Sequence, residues 1–142
     1  MNNKLPTQKI TMENIEEIYE YIFAPYVKQL KLSFLEIEEG RVVAKLENSR
    51  DYQFVTGAVS GQVLMSVIDT TMSIAMNTSV KSQRGTLSQN NNFIRPAFGD
   101  YFIIESIVQR FGSSIAIGET KVYPEDNKEK IICHATSTFP LK

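Results

Sequence analysis

Positions 61–76, GQVLMSVIDTTMSIAM, constrain this chain more than any other segment, because their apolar residues cover most of a helical circumference. A helix of that kind cannot lie on a surface and has to be wrapped by other structure. Gln62, Ser66, Asp69, Thr70, Ser73 and Asn77 recur at steps of three or four and form one narrow polar stripe along it. The hydroxyls in the stripe can bond carbonyls one turn back. Asp69 is harder to place, since a carboxylate among apolar side chains must be solvated, paired or hydrogen-bonded. No lysine, arginine or histidine lies within a turn of it. Either a group from elsewhere in the chain satisfies Asp69 or a functional pocket does.

The wrapping is legible on both sides. Leu32 to Ile37 and Val42 to Leu46 flank Glu38-Glu39-Gly40-Arg41, and Gly40 can supply the positive φ of a tight hairpin. After the helix come four strand-like stretches, Thr86 to Arg95, Tyr101 to Arg110, Ser114 to Tyr123 and Lys130 to Phe139. Turn-forming residues separate them at Pro96 to Asp100, at Gly112-Ser113 and along PEDNKEK. The expectation is an α+β domain in which an early hairpin and a late antiparallel meander form one curved sheet around the helix. Ahead of it, Ile15, Ile18, Tyr19, Ile22 and Phe23 recur at helical spacing over Glu13 to Phe23, with Thr11 the expected N-cap. Pro25 should break that helix and leave Tyr26 to Leu30 as a short second turn. Residues 1–31 are thus expected as a helical extension and 32–142 as the main body of one domain.

Length and composition agree with one core: 142 residues with 42% apolar side chains suit a single domain. A formal charge of −1 offers no global field for nucleic acid or anionic lipid. Cys133 stands alone, which excludes an internal disulfide and a multi-cysteine zinc site and suits a reducing compartment, so cytosol is expected. One histidine, one cysteine and scattered carboxylates give no metal-site spacing. No signal-peptide stretch and no apolar run of spanning length is present, and no membrane association is expected.

Ser60 is a suitable N-cap, and the N–H groups at Gly61 and Gln62 have no helical partner, so the helix start can hold an anion or a developing oxyanion. Asp69 lies eight residues beyond Gly61, about 12 Å along the axis at about 1.5 Å per residue. One helix cannot bring both groups to one atom. If they act together, they come from two copies of the helix, and a symmetric dimer follows.

GAVSGQVLMSVIDTTMSIAM, followed by GTLSQNNNFIRPAFGDYFIIESIVQRFGSSIAIGETKVY, resembles the phenylacetyl-CoA-thioesterase-like branch of the hotdog acyl-CoA thioesterases over roughly residues 32–139. In that family a glycine, then a His-Gly-Gly helix start, then an acid in the third turn mark the active site. Gly57, Ser60-Gly61-Gln62 and Asp69 stand at those places, with Ser60 and Gln62 replacing the histidine and second glycine. The resemblance implies a hotdog fold and hydrolysis of an acyl-CoA thioester across a dimer interface. It makes Asp69 the base or nucleophile, Gly61 or Gln62 the oxyanion donor, and Thr86 the hydroxyl that orients water. No cofactor is implied beyond the CoA of the substrate.

Ser60, Gln62, Phe54, Asn92 and Arg95 are expected at the substrate. Phe54 occupies the place of an asparagine in some members, and one or more of Arg95, Arg110 and Lys121 could meet the CoA phosphates. Among the three successive asparagines, Asn90 to Asn92, two must share a strand face, which suggests a bulge or a pocket rim. His134, in an alternating strand, points away from Cys133 and is expected to be structural. A chain that binds acyl-CoA or lipid without turnover and a purely structural dimerisation module remain open alternatives. For the thioesterase a homodimer or a dimer of dimers is expected.

Overall fold

A computed structural model describes residues 9–81 and 83–142. The first part of the expected extension, residues 1–8, lies outside them. The elements run α1 (Ile15–Ile22), α2 (Pro25–Lys28), β1 (Ser33–Glu38), β2 (Arg41–Glu47), a 3-10 turn (Arg50–Tyr52), α3 (Gly61–Met76), β3 (Ser88–Phe93), β4 (Tyr101–Phe111), β5 (Ile115–Pro124) and β6 (Cys133–Pro140). The strands make one antiparallel sheet in the order β1-β2-β4-β5-β6-β3. Helix α3 packs across the sheet with Val67, Ile68, Met72, Ile74, Ala75 and Met76 fully buried. This is the hotdog arrangement that the resemblance implies.

Alternation along the strands assigns their faces. Phe102, Ile104 and Ser106 of β4, Ala116, Gly118, Thr120 and Val122 of β5, and Cys133, Ala135, Ser137 and Phe139 of β6 turn inward. Two register shifts, between Phe34 and Glu36 and between Val108 and Arg110, mark bulges of the kind that bend a sheet. At the helix centre the sheet carries Gly118, and a Cβ there would stand 2.3 Å from Met72 Cε and 2.5 Å from its sulfur. Met72 thus fills the space that a side chain at 118 would occupy.

The hairpin and its glycine are as expected, with Gly40 at φ 75°. Its N–H donates to Thr78 Oγ1 at 2.7 Å, and the same hydroxyl donates to the Ala75 carbonyl, fastening the hairpin tip to the end of α3. Two hydroxyls of the polar stripe bond as their chemistry predicts, Ser66 donating to the Gln62 carbonyl and Thr70 to the Ser66 carbonyl, and the buried Thr71 beside them donates to the Val67 carbonyl.

Two expectations need correction. The late strands are not a four-stranded meander, since β3 pairs with β6 and never meets β4. The link after β3 does not turn back on itself. It crosses the helix start, where the Ala97 carbonyl accepts from Val59 and the Asp100 carbonyl from Asn48, and delivers β4 beside β2. The last strand starts at Cys133, not Lys130, because residues 127–130 close a turn in which Lys130 N–H donates to the Asn127 carbonyl. The regular part of α1 starts at Ile15, and the capping bonds ahead of it are those of Thr11, as expected: its Oγ1 accepts from Glu13 N–H, its carbonyl accepts from Ile15 N–H, and its own N–H donates to Asn14 Oδ1.

Pro25 opens α2, as its fixed φ favours. Ile10, Ile15, Ile18, Tyr19 and Leu30 join the same apolar cluster as α3 and the sheet. Burial pushes the Tyr19 phenol up to about 12, and its hydroxyl donates to the Val27 carbonyl at 2.8 Å.

Substituting Gly118→Val should displace Met72 from a fully packed site and destabilise the fold by about 1–3 kcal/mol. Urea denaturation checks this as a lower midpoint at unchanged slope.

Candidate active site

The half-exposed Asp69 sits in the third turn of α3, where the sheet does not cover the helix. The segment between α3 and β3 returns over this opening. Arg84 N–H donates to the Pro140 carbonyl and Leu87 N–H to the Thr138 carbonyl, which ties the segment to β6. Between them Thr86 reaches the helix, and its Oγ1 donates to Asp69 Oδ1 at 2.5 Å. A hydroxyl bond of this kind to a carboxylate is strong.

Around the pair lies an open groove lined by Gln62, Met65, Ser66, Asp69, Thr86, Gln89 and Asn91. The two answers that the sequence left open for Asp69 are both present: a hydroxyl from another element bonds it, and it faces a groove.

At the helix start Ser60 Oγ accepts from Val63 N–H at 3.3 Å, and the Ser60 carbonyl accepts from Leu64 N–H. Among the described residues nothing accepts from the N–H of Gly61 or of Gln62. Phe93 lies over Gly61, with a ring atom 3.3 Å from where a Cβ would stand. The missing side chain thus admits the Phe93 ring. A second, larger cavity of about 650 Å³ opens between α2 and the helix start, with Tyr26, Leu30, Tyr52 and Val63 among its lining residues. Tyr26 stands between the two openings, its hydroxyl 3.4 Å from that of Ser66 in the groove.

Strand β3 runs antiparallel to α3 along this opening. Phe93 touches Gly61, Gln89 Nε2 donates to the Met65 carbonyl at 3.2 Å, and Thr86, just before the strand, holds Asp69. The far edge of β3 is an edge of the sheet.

The other expected residues fall elsewhere. Asn92 is the cross-strand neighbour of His134 on the outer face, and the groove takes Asn91 in its place. The register of β3 is continuous, so the asparagines form a pocket rim without a bulge. Arg95 does not line the groove, and its Nη1 donates to the Ile131 carbonyl at 3.0 Å. Phe54 is half exposed in a tight turn closed by Gly57 N–H on the Phe54 carbonyl. Strand alternation alone puts Gln89, Asn91 and Phe93 on one face, the signal that could have found Gln89 and Asn91.

Cys133 faces the core, whereas His134 faces outward with its Nε2 3.2 Å from Glu119 Oε1. Burial pushes the Cys133 thiol up to about 11, so it is no nucleophile at neutral pH. Among the described residues no helix is long and apolar enough to cross a membrane.

A family model described as the thioesterase superfamily matches residues 56–131. A Saccharolobus solfataricus protein provisionally named an esterase is 28% identical over 115 residues, covering 80% of this chain and 81% of the relative. The structure of the Escherichia coli PaaI protein, from the phenylacetic acid degradation operon, superposes with a TM-score of 0.80 at 17% identity, covering 92% of this chain and 91% of that one. A hypothetical thioesterase from Streptococcus pneumoniae, solved with coenzyme A, superposes at 0.72 and 15% identity over 78% of this chain and 85% of its own.

In the native protein at pH 8, Cys133 should react with a thiol reagent at least about a hundredfold more slowly than in denaturant, because its full burial excludes the reagent and its raised pKa lowers the thiolate fraction. Absorbance of the released chromophore measures both rates.

Proposed function

Because the chain belongs to the thioesterase superfamily, we propose that it hydrolyses an acyl-CoA thioester to the free acid and CoA, at a site that two copies of the chain share. The observation that carries this reading is the Asp69–Thr86 pair in an open groove, with free helix-start donors in the same chain about two helical turns away. A carboxylate fixed by a hydroxyl can activate water, and unpartnered N–H groups can hold the oxyanion that forms when the thioester carbon is attacked.

The unpaired edge of β3 supports the shared site, because a second copy can pair with it there. An antiparallel pair about a two-fold axis sets the Phe93 end of one strand against the Thr86 end of the other. Since Phe93 marks Gly61 and Thr86 marks Asp69, each helix start then comes to lie beside the other copy's carboxylate. Met65, Leu87, Phe93 and Ile94 are exposed around this edge and would be covered in the dimer.

In this reading Asp69 takes a proton from water, and the hydroxide adds to the thioester carbon. The oxygen becomes an oxyanion on the Gly61 N–H of the other copy. Collapse expels the CoA thiolate, which takes up the proton from Asp69. If the carboxylate attacks the carbon itself, an anhydride forms and water then cleaves it. Single turnover in ¹⁸O-water separates the two routes, because only the anhydride route can leave label in the Asp69 carboxylate. No cofactor enters either route.

CoA as the thiol is supported by the coenzyme A in the Streptococcus pneumoniae neighbour. Arg95, Arg110 and Lys121 are exposed cations that could meet its phosphates. The cavity between α2 and Val63 is room for an acyl group. The lone buried cysteine fits a cytosolic chain.

A second reading, acyl-CoA binding without turnover, draws on Phe93, whose ring covers one side of Gly61. Two variants decide between them. Asp69→Asn should lower CoA release from a panel of acyl-CoAs by about 10²–10⁴-fold. Gly61→Pro deletes an N–H at the first helical position, where the fixed φ of proline suits the backbone, Ser60 already has the extended backbone (φ −65°, ψ 149°) that a following proline requires, and the half-exposed Phe93 ring, 3.3 Å from the new Cβ, has to give by a few tenths of an ångström. Each variant alone should be inactive. Refolded together in equal amounts they should regain about a quarter of wild-type activity, because half the dimers are hybrids with one intact site each. No recovery from two folded variants rejects the shared site, and full activity in Asp69→Asn rejects the mechanism.

A further inference from the structure

We propose that Gln89 is a positioning residue for Asp69, holding the helical turn that carries the carboxylate at a fixed distance from Thr86. The inference rests on the reading of Asp69 as the reacting carboxylate. Gln89 Nε2 donates to the Met65 carbonyl at 3.2 Å and to Asn91 Oδ1 at 3.0 Å. Met65 is four residues before Asp69 in α3, so its carbonyl is also the helical acceptor of the Asp69 N–H. One carbonyl therefore takes a donor from the backbone of Asp69 and another from β3. Thr86, on the same segment, bonds the Asp69 carboxylate. The turn is held by its backbone and by its side chain, from a single strand.

The orientation of the Gln89 amide follows from its partners, because reversing it would set its oxygen against two other oxygens. That orientation leaves Gln89 Oε1 buried without a hydrogen-bond partner among the described residues. A buried acceptor without a donor opposes stability. An apolar side chain at 89 would pack against α3 without it, so stability alone does not favour glutamine here. What glutamine supplies that leucine cannot is a donor to the Met65 carbonyl. Groups that act on a reacting atom need such support, since small displacements cost rate steeply.

The test uses Gln89→Leu and Gln89→Glu, which remove the donor by different chemistries, in the full chain. Each should lower kcat about tenfold with KM within about twofold of wild type, the pattern of a group that acts in the transition state. Gln89→Leu should not lower the melting temperature, which separates positioning from a general loss of structure. In a Thr86→Val background, Gln89→Leu should lower kcat by less than it does alone, because both bonds hold one group.

A readout independent of turnover is the Met65 carbonyl ¹³C resonance. It should move in both variants while that of Ile74, further along the helix, stays in place. An unchanged kcat in folded Gln89→Leu overturns the proposal, and so does a joint rise in KM and fall in melting temperature. If the wild type releases no CoA from any substrate, the thioesterase reading fails. The Met65 resonance then decides the clamp, which an unmoved signal would reject.

Discussion

Helix α3 lies so close to the sheet that Met72 occupies the space a side chain at 118 would fill, and the other elements take their positions from that contact. A helix with this much apolar surface has to be covered on nearly every side. The sheet covers one part, and α1, α2 and the chain before β1 cover another, through Ile15, Ile18, Tyr19 and Leu30. What stays open is the part of the polar stripe at Gln62, Ser66 and Asp69. The Ser66 and Thr70 hydroxyls bond carbonyls one turn back within the helix. Two side chains of the stripe reach other elements, Ser66 to the Tyr26 hydroxyl of α2 and Asp69 to Thr86.

That opening is bordered by one strand. β3 is an edge strand poor in apolar residues, and its inward face, Gln89, Asn91 and Phe93, is matched to α3 position by position. The aromatic ring goes where the helix has glycine, and the amide goes where the helix offers a carbonyl in the turn before the acid. The strand thus acts as a second wall for the site and as the free edge of the sheet. In most proteins an exposed edge of this kind is a liability to be blunted. Here the outward asparagines and the inward amide keep it polar without blocking pairing by backbone groups.

How much of this is legible in the sequence depends on whether the cause is local. The extent of α3, the glycine turn at 40, the break at Pro25 and the isolation of Asp69 follow from side-chain chemistry over a few residues, and each agrees with the structure. The position of β3 does not, because nothing in SQNNNF says which neighbour it will pair with. That is decided by the path of residues 94–100 across the helix start. The same limit explains Asn92. Composition marks the three asparagines as unusual, but only the register with His134 shows that Asn92 faces outward and Asn91 inward. Arg95 is likewise placed by the fold and not by its own chemistry, outside the groove with its Nη1 on the Ile131 carbonyl. Thr11 is legible because its cause is local: its Oγ1 accepts from Glu13 N–H while Asn14 Oδ1 accepts from Thr11 N–H, a reciprocal pair of bonds within four residues.

The distance between Gly61 and Asp69 links fold to chemistry. A base and an oxyanion donor must both lie within hydrogen-bond reach of one substrate. The helical rise sets these two about 12 Å apart along the axis, and no side-chain rotation closes that gap. A longer side chain at 69 would reach further only by giving up the hydroxyl bond to Thr86. Duplication closes the gap without altering either group, because a two-fold axis through an antiparallel strand reverses the order of everything aligned along it. Strand β3 and the residues leading into it carry both markers, Phe93 on Gly61 and Thr86 on Asp69, in the reverse order of the helix. Under the proposed pairing, rotating that order onto a second copy would turn two incomplete halves into two complete sites, and β3 is the element through which the fold bears on the proposed chemistry.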